Sequence, residues 1–325
     1  MFYVIIASGL LFDFLNGVND SSNIVATVIS SRAMRPRVAL IMAAIAHFSA
    51  PFLFGVAVAT TIGKDVIDPS AISPNVVVAG VVAAVLWNII TWWLGMPSSS
   101  SHALVGGLLG AAVLAQGLEI VQISGLTKVL LALFLSPPLG MLAGYLIMRI
   151  VLFLARNASP RVSIVFKRLQ ILTALALSLS HGTNDAQKTM GIITMGLVSA
   201  GILDSFEVPL WVVAASASAI ALGTALGGWR LIRTLGGRIV RIRPIHGFTS
   251  QIASASVILS AALFGGPVST TQVVGSAIMG VGAAERISKV RWQVGREMIV
   301  TWLITIPVTA ALSALLYLLL RVLTS

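Results

Sequence analysis

The chain has 325 residues, of which 57% are hydrophobic and only 10% charged, with a mean hydropathy of +1.00. A soluble domain is about 25% charged, so this composition excludes an ordinary soluble fold and points to a membrane protein of many apolar spans. The net charge of +11 would suggest nucleic acid in a soluble protein, but here Lys and Arg gather in particular loops and can set membrane orientation. With no cysteine, there is neither a disulfide framework nor a thiol-ligated metal site.

A span needs roughly 20 apolar residues. The first runs over 2–29. It carries no basic n-region and Asp13 is wrong for a cleavage site, so it reads as a mature span rather than a signal peptide. Inside it lies "GVNDSSN" (17–23), followed by a basic loop with Arg32, Arg35 and Arg37. Apolar segments follow at 38–60, 76–96, 102–117 and 128–154. A second basic loop then holds Arg156, Arg161, Lys167 and Arg168. The next span, 169–200, contains "GTNDAQK" (182–188). After it come 209–228 (bracketed by Trp211 and Trp229, as interfacial aromatics often are), 245–264, 272–284 and 297–320. Loops 229–243 and 285–296 are again basic, so four loops hold most of the 21 basic residues. The loops at 61–75, 118–127 and 201–208 carry Asp65, Asp68, Glu119, Asp204 and Glu207 against Lys64 alone. Basic loops belong inside and the acidic ones outside.

The loop after the first Asn-Asp segment is therefore inside, and the loop after the second is outside. The fold class this predicts is an all-α polytopic membrane protein of two inverted-topology repeats, 1–168 and 169–325. A second repeated element agrees. "GMPSSSSH" (95–102) aligns with "GGPVSTTQ" (265–272), matching Pro97 to Pro267, Ser99 to Ser269 and, further on, Gly110 to Gly280. Each run separates an apolar segment from a shorter one that looks too short to cross, so each pair reads as a re-entrant hairpin. Inverted repeats with broken helices meeting at the midplane are a secondary-transporter architecture.

A carboxylate at membrane depth costs about 2.5–3.5 kcal/mol on insertion scales and usually faces a partner or a wet cavity. Asp20 and Asp185 are such residues, each with Asn before it and Gly three back. The glycine permits a helix break that frees carbonyls. With Asn19, Asp20, Asn23, Asn184 and Asp185, these oxygens suit a hard cation such as Na⁺. Such groups can also merely glue helices together, but their recurrence in two inverted copies favours the ion site. Lys188 stands where Asn23 stands in the first copy. It either neutralises Asp185 or, with Gln187, helps hold an anion.

The hydroxyl runs Ser98, Ser99, Ser100, Ser101 and Ser269, Thr270, Thr271 each follow a proline and open a short helix. A helix N-terminus offers unpaired N–H donors to an oxyanion, and hydroxyls add donors without adding charge. Either run could equally be a capped turn. His102 has Gln272 as its counterpart, which cannot titrate, and this favours a hydrogen-bonding role. Asp13 has no acidic counterpart (Ser178 aligns) and could support the break or line the pathway. No zinc-protease His/Glu spacing and no nucleophile–base pair is evident, so an enzyme is not expected.

Through "NGVNDSSNIVATVISSRAM" (16–34) and "SHGTNDAQKTMGIIT" (180–194) the sequence closely resembles the inorganic phosphate transporter (PiT) family, over the whole chain and both hairpins. The resemblance implies phosphate uptake at the cell membrane coupled to Na⁺ or H⁺, with no cofactor and no nucleic-acid partner. It also implies a pseudo-symmetric site between the halves and a homodimer. The large cytoplasmic loop of animal members is missing, with only 155–168 in its place. Sulfate–proton symport is the nearest rival, and an ion channel is the rival from a different class.

Overall fold

The computed structural model describes residues 2–159 and 161–324. The helices are α1 (Phe2–Ser30), α2 (Pro36–Phe54), α3 (Ala57–Thr60), α4 (Pro74–Leu94), α5 (Ser100–Gln116) and α6 (Ile123–Leu154). They continue as α7 (Val162–Ser199), α8 (Leu210–Leu226), α9 (Trp229–Arg233), α10 (Pro244–Leu263), α11 (Thr270–Glu285) and α12 (Trp292–Thr324). Short π-helical turns, Thr61–Asp65 and Thr234–Arg238, follow α3 and α9. Six of the helices described are long and apolar enough to cross a membrane: α1, α2, α4, α6, α7 and α12. Their outer faces carry large exposed side chains, such as Leu131, Leu135, Leu142 and Phe153 on α6 and Leu303, Leu315 and Leu319 on α12. In water such a surface would be a liability, whereas in lipid it is the expected exterior. The protein is a multi-pass membrane protein.

Each element of the first half has a counterpart in the second, and the counterparts pack alike. α1 lies on α8 and α7 on α2; α5 lies on α12 and α11 on α6. Small residues make the last two contacts possible, because in lipid close backbone approach supplies the association. A Cβ on Gly110 would stand 2.1 Å from the Ala310 carbonyl oxygen, and one on Gly280 would stand 2.0 Å from that of Met141. The two glycines aligned in the sequence thus do the same task in both halves.

The hairpins are present as α4–α5 and α10–α11. At 17 and 16 residues, α5 and α11 measure about 25 Å, short of the roughly 30 Å hydrocarbon core. Their tips meet inside the molecule, where Ser101 Oγ donates to the Val268 carbonyl at 3.0 Å. At the other end of the second hairpin, the Glu285 carboxylate pairs with Arg243, with His246 at 3.2 Å and with Lys289 at 2.5 Å.

One expectation fails. α1 and α7 remain helical through both Asn-Asp motifs instead of breaking there. The motif glycines serve close packing: a Cβ on Gly17 would meet the Ile220 carbonyl oxygen at 2.3 Å, and one on Gly182 the His47 Cα at 2.8 Å. The non-helical carbonyls beside the motifs come instead from the turn of the second hairpin, where Gly266 accepts from Asn184 and Val268 from Ser101 and Lys188.

Two tests follow. The chain lacks cysteine, so Arg35→Cys and Ser205→Cys, both at exposed positions, give clean labelling sites. Ser205→Cys should react with an impermeant reagent from outside and Arg35→Cys only from inside; labelling from the same side would contradict the inverted reading. Gly110→Ala and Gly280→Ala should each lower the melting temperature in detergent. Overpacking of about 1–3 kcal/mol outweighs the roughly 1 kcal/mol that Ala gains over Gly in a helix. Gly237→Ala, with open space around it, should not.

Candidate functional site

The close approaches at Gly17 and Gly182 seat α1 on α8 and α7 on α2, and α1 and α7 also pack on each other with their polar motifs buried. Asp20, Asn23, Asn184, Asp185 and Lys188 are all buried. His181 joins them, its Nδ1 lying 3.0 Å from Asp185 Oδ2. One ligand atom each from Asp20, His181 and Asp185 can be chosen so that all lie within 4.8 Å of one another. Two carboxylates from opposite halves of the chain therefore share one buried locus.

The N-terminus of α11 holds them there. Thr271 Oγ1 donates to Asp20 Oδ1 at 2.9 Å, and Thr270 Oγ1 donates to Asp185 Oδ2 at 2.9 Å. Adjacent residues on a single helix thus bond to both carboxylates. Asn23 Nδ2 also donates to Asp20 Oδ1, at 2.7 Å, and to Thr271 Oγ1, at 3.0 Å. In the second copy, Lys188 Nζ takes the equivalent place against Asp185 Oδ1 and donates to the Val268 carbonyl at 3.0 Å. Of the two roles left open for Lys188, this geometry is that of the counter-ion.

Three oxygens in the cluster lack a hydrogen-bond partner among the described residues: Asp20 Oδ2, Asn23 Oδ1 and Asn184 Oδ1. Asn184 is anchored through its amide nitrogen to the Gly266 carbonyl, 3.1 Å away. Buried polar atoms are normally paired, and unpaired carboxylate and amide oxygens are the ligands a hard cation takes. Beside them a cavity of about 10 Å³ is lined by Asn16, Asn19, Asp20, Asn88, Ser98, Ser100 and Thr271 among others. That is about the room one water needs.

The hydroxyl runs divide by role. Ser98 and Ser100 line the cavity, and Ser98 also pairs with Thr91 at 2.9 Å. Ser99 and Ser269 are helix caps, accepting from the backbone N–H of His102 at 3.2 Å and of Gln272 at 3.4 Å. Ser101 joins the two hairpins. His102 and Gln272 meet across the hairpins at 3.4 Å, and His102 Nδ1 lies 2.7 Å from Ser99 Oγ; the expected hydrogen-bonding role fits. Gln187, expected beside the anion, is turned elsewhere. Its Oε1 accepts from Val58 N at 2.7 Å and its Nε2 donates to the Gly55 carbonyl at 2.5 Å. The start of α3 needs partners for its backbone, and Gln187 supplies them.

Sequence reasoning missed Asn16, Asn88, Thr91 and His181. Asn16 and His181 stand four residues before Asp20 and Asp185, one helical turn away on the same face; that matching offset was a usable signal. His47 was missed too. It stacks on His181 at 5.0 Å between ring centroids, a contact between α2 and α7 that no local pattern announces.

Removing one partner of a buried pair strands the other charge, at about 3–5 kcal/mol. Lys188→Met should therefore destabilise the protein strongly in detergent, and adding Asp185→Asn should recover much of the loss. A single variant as stable as wild type would contradict the counter-ion role.

The comparisons with known proteins agree with this geometry. A model of the "Phosphate transporter family" matches residues 16–159 and 153–313. A "Probable low-affinity inorganic phosphate transporter" of Bacillus subtilis is 42% identical over 322 residues, covering 98% of this chain and 96% of that one. One from Rhizobium meliloti is 45% identical over 315 residues, covering 96% and 94%. A solved structure titled "The sodium-dependent phosphate transporter" superposes with a TM-score of 0.89 at 26% identity, covering 99% of both chains. By its motifs, its fold and these relatives, the chain belongs to the phosphate transporter family.

Proposed function

We propose that the protein imports inorganic phosphate by symport with two or more Na⁺, through alternating access between two inverted halves, 1–168 and 169–325. The observation that carries this reading is the Thr270–Thr271 tip, which ties one carboxylate from each half to a single helix N-terminus. In this reading Asn19, Asp20, Asn23, Asn184 and Asp185 hold the cations. The anion sits against Ser98, Ser100 and the N-termini of α5 and α11.

Charge sets the number of cations. Asp20, Asp185 and Lys188 together with divalent phosphate leave about −3, which a dry site cannot carry unpaired. Two Na⁺ suffice when His181 carries a proton, and three when it does not. The inward Na⁺ gradient drives accumulation, and the membrane potential adds about 2.3 kcal/mol per 100 mV for each net positive charge moved, which is none for two Na⁺ with divalent phosphate and one for three. The cavity holds little more than one water, so a tetrahedral anion enters only when a hairpin tip withdraws. That motion is the gate alternating access requires. The relatives, named as inorganic phosphate transporters, support phosphate over sulfate, and the likeness to a sodium-dependent phosphate transporter supports Na⁺ over H⁺. The homodimer rests on the family resemblance and is testable by sedimentation in detergent.

Labelled phosphate and labelled sulfate should be offered to proteoliposomes under an imposed Na⁺ or H⁺ gradient. Phosphate uptake that needs inward Na⁺ is expected. Uptake driven by protons alone moves the coupling ion to H⁺, and fast flux indifferent to either gradient returns the protein to a channel. In the same assay Ser100→Ala should weaken the apparent phosphate affinity about tenfold, the value of one hydrogen bond to a charged group. An unchanged affinity would exclude Ser100 from the anion site.

A further inference from the structure

Toward its N-terminus from Asp20, α1 carries a second polar group that the site above does not use. Asp13 is fully buried, and neither carboxylate oxygen makes a hydrogen bond of good geometry to a described residue. Asn16, one turn on, is equally buried with both amide atoms unpartnered. Across the α1–α7 contact, Thr189 faces Asp13 closely enough to interact with it. Its Oγ1 makes no hydrogen bond of good geometry to a described residue. Gly9 allows the approach, since a Cβ there would stand 2.7 Å from Ile193 and 3.7 Å from Thr189.

Asp13 also lacks a counter-charge of its own. Lys188 and Asp185 lie within electrostatic reach, but they are paired with each other and largely cancel at Asp13. In the second half the aligned Ser178 satisfies itself on the Ala174 carbonyl at 2.7 Å. The acid therefore belongs to the first half alone. A buried, unpaired carboxylate is too costly to leave bare. One proton would remove the charge and let the carboxyl donate to one of the Asn16 and Thr189 oxygens, leaving the other unused. A hard cation uses all of them. With a single carboxylate, only a monovalent ion leaves the pocket neutral.

We propose that Asp13, Asn16 and Thr189 form a further Na⁺ site, about 10 Å along α1 from Asp20 at 1.5 Å per residue. Asn16, which also lines the cavity beside Asp20, links the two. The positively charged loop after α1 puts Asp13 on the outward side of Asp20, so this site lies on the entry path of the coupling ions. The proposal rests on the Na⁺-coupled reading above.

The test is thermal unfolding of the whole protein in phosphate-free detergent, with Na⁺ replacing choline at fixed ionic strength, at about pH 6 and pH 8. The wild type should melt higher as Na⁺ rises. Asp20→Asn should retain part of that rise, because the Asp13 site is intact. In the Asp20→Asn background, Asp13→Asn or Thr189→Val should raise the half-maximal Na⁺ at least tenfold. Thr189→Val keeps the shape of the side chain and gives an answer even where Asp13→Asn fails to fold. If Asp20→Asn alone abolishes the response, there is no second site. If the wild type instead responds to pH in choline, and Asp13→Asn removes that response, Asp13 holds a proton and the proposal is wrong. If no variant responds to Na⁺, both this site and Na⁺ coupling fall. Uptake of labelled phosphate under a proton gradient then decides separately whether the transporter reading stands.

Discussion

Everything in this molecule converges on two neighbouring hydroxyls. Thr270 and Thr271 donate to Asp185 and Asp20, carboxylates that lie far apart in the chain and come from different halves. Two acids cannot sit together in a dry interior without something to hold and neutralise them. The threonines give them hydrogen bonds from the positive end of a helix, Lys188 gives one of them a charge, and the remaining oxygens stay open. In the proposed reading, a cluster left short of positive charge takes cations from solution.

The rest of the fold makes this junction possible. α11 must end at membrane depth, so the hairpin has to turn inside the protein, and it can do so only where the turn's backbone finds partners. Lys188 and Ser101 bond to Val268, and Asn184 to Gly266. The glycines at 17 and 182 bring α8 and α2 against the motif helices, and those at 110 and 280 seat the short hairpin arms on α12 and α6. Because the hairpin tip touches both carboxylates, displacing that single element would, in the proposed cycle, release both halves of the proposed ion site together, as a discrete two-state element would.

Much of this was legible from residue order. The alternation of basic and acidic loops, the paired Asn-Asp motifs and the paired proline–hydroxyl turns each carry local signals, and they placed the spans, hairpins and central acids. The errors have a common physical source. Gly17 and Gly182 look like helix breakers in isolation, yet in lipid a glycine more often marks where two helices touch. Which helix touches is information held by a distant segment. Gln187 looked like a site residue because of its neighbours, but a backbone at 55–59 needed it. His181 and Asn16 were visible only by comparing the two motifs one turn upstream. Contacts between remote segments, such as His47 with His181, leave no trace in either segment.

The central claim is that cation and anion binding are one event at the Asp20–Asp185 junction. The direct measurement is reciprocal titration in detergent: phosphate affinity with and without saturating Na⁺, and Na⁺ affinity with and without saturating phosphate. Linkage demands that each ligand change the other's affinity by the same factor. With the anion facing uncompensated carboxylates, that factor should be at least tenfold, and it should shrink together in both directions in Asp20→Asn and Asp185→Asn. Phosphate affinity that is indifferent to Na⁺ in the wild type, or a large coupling that survives both substitutions, would contradict the account.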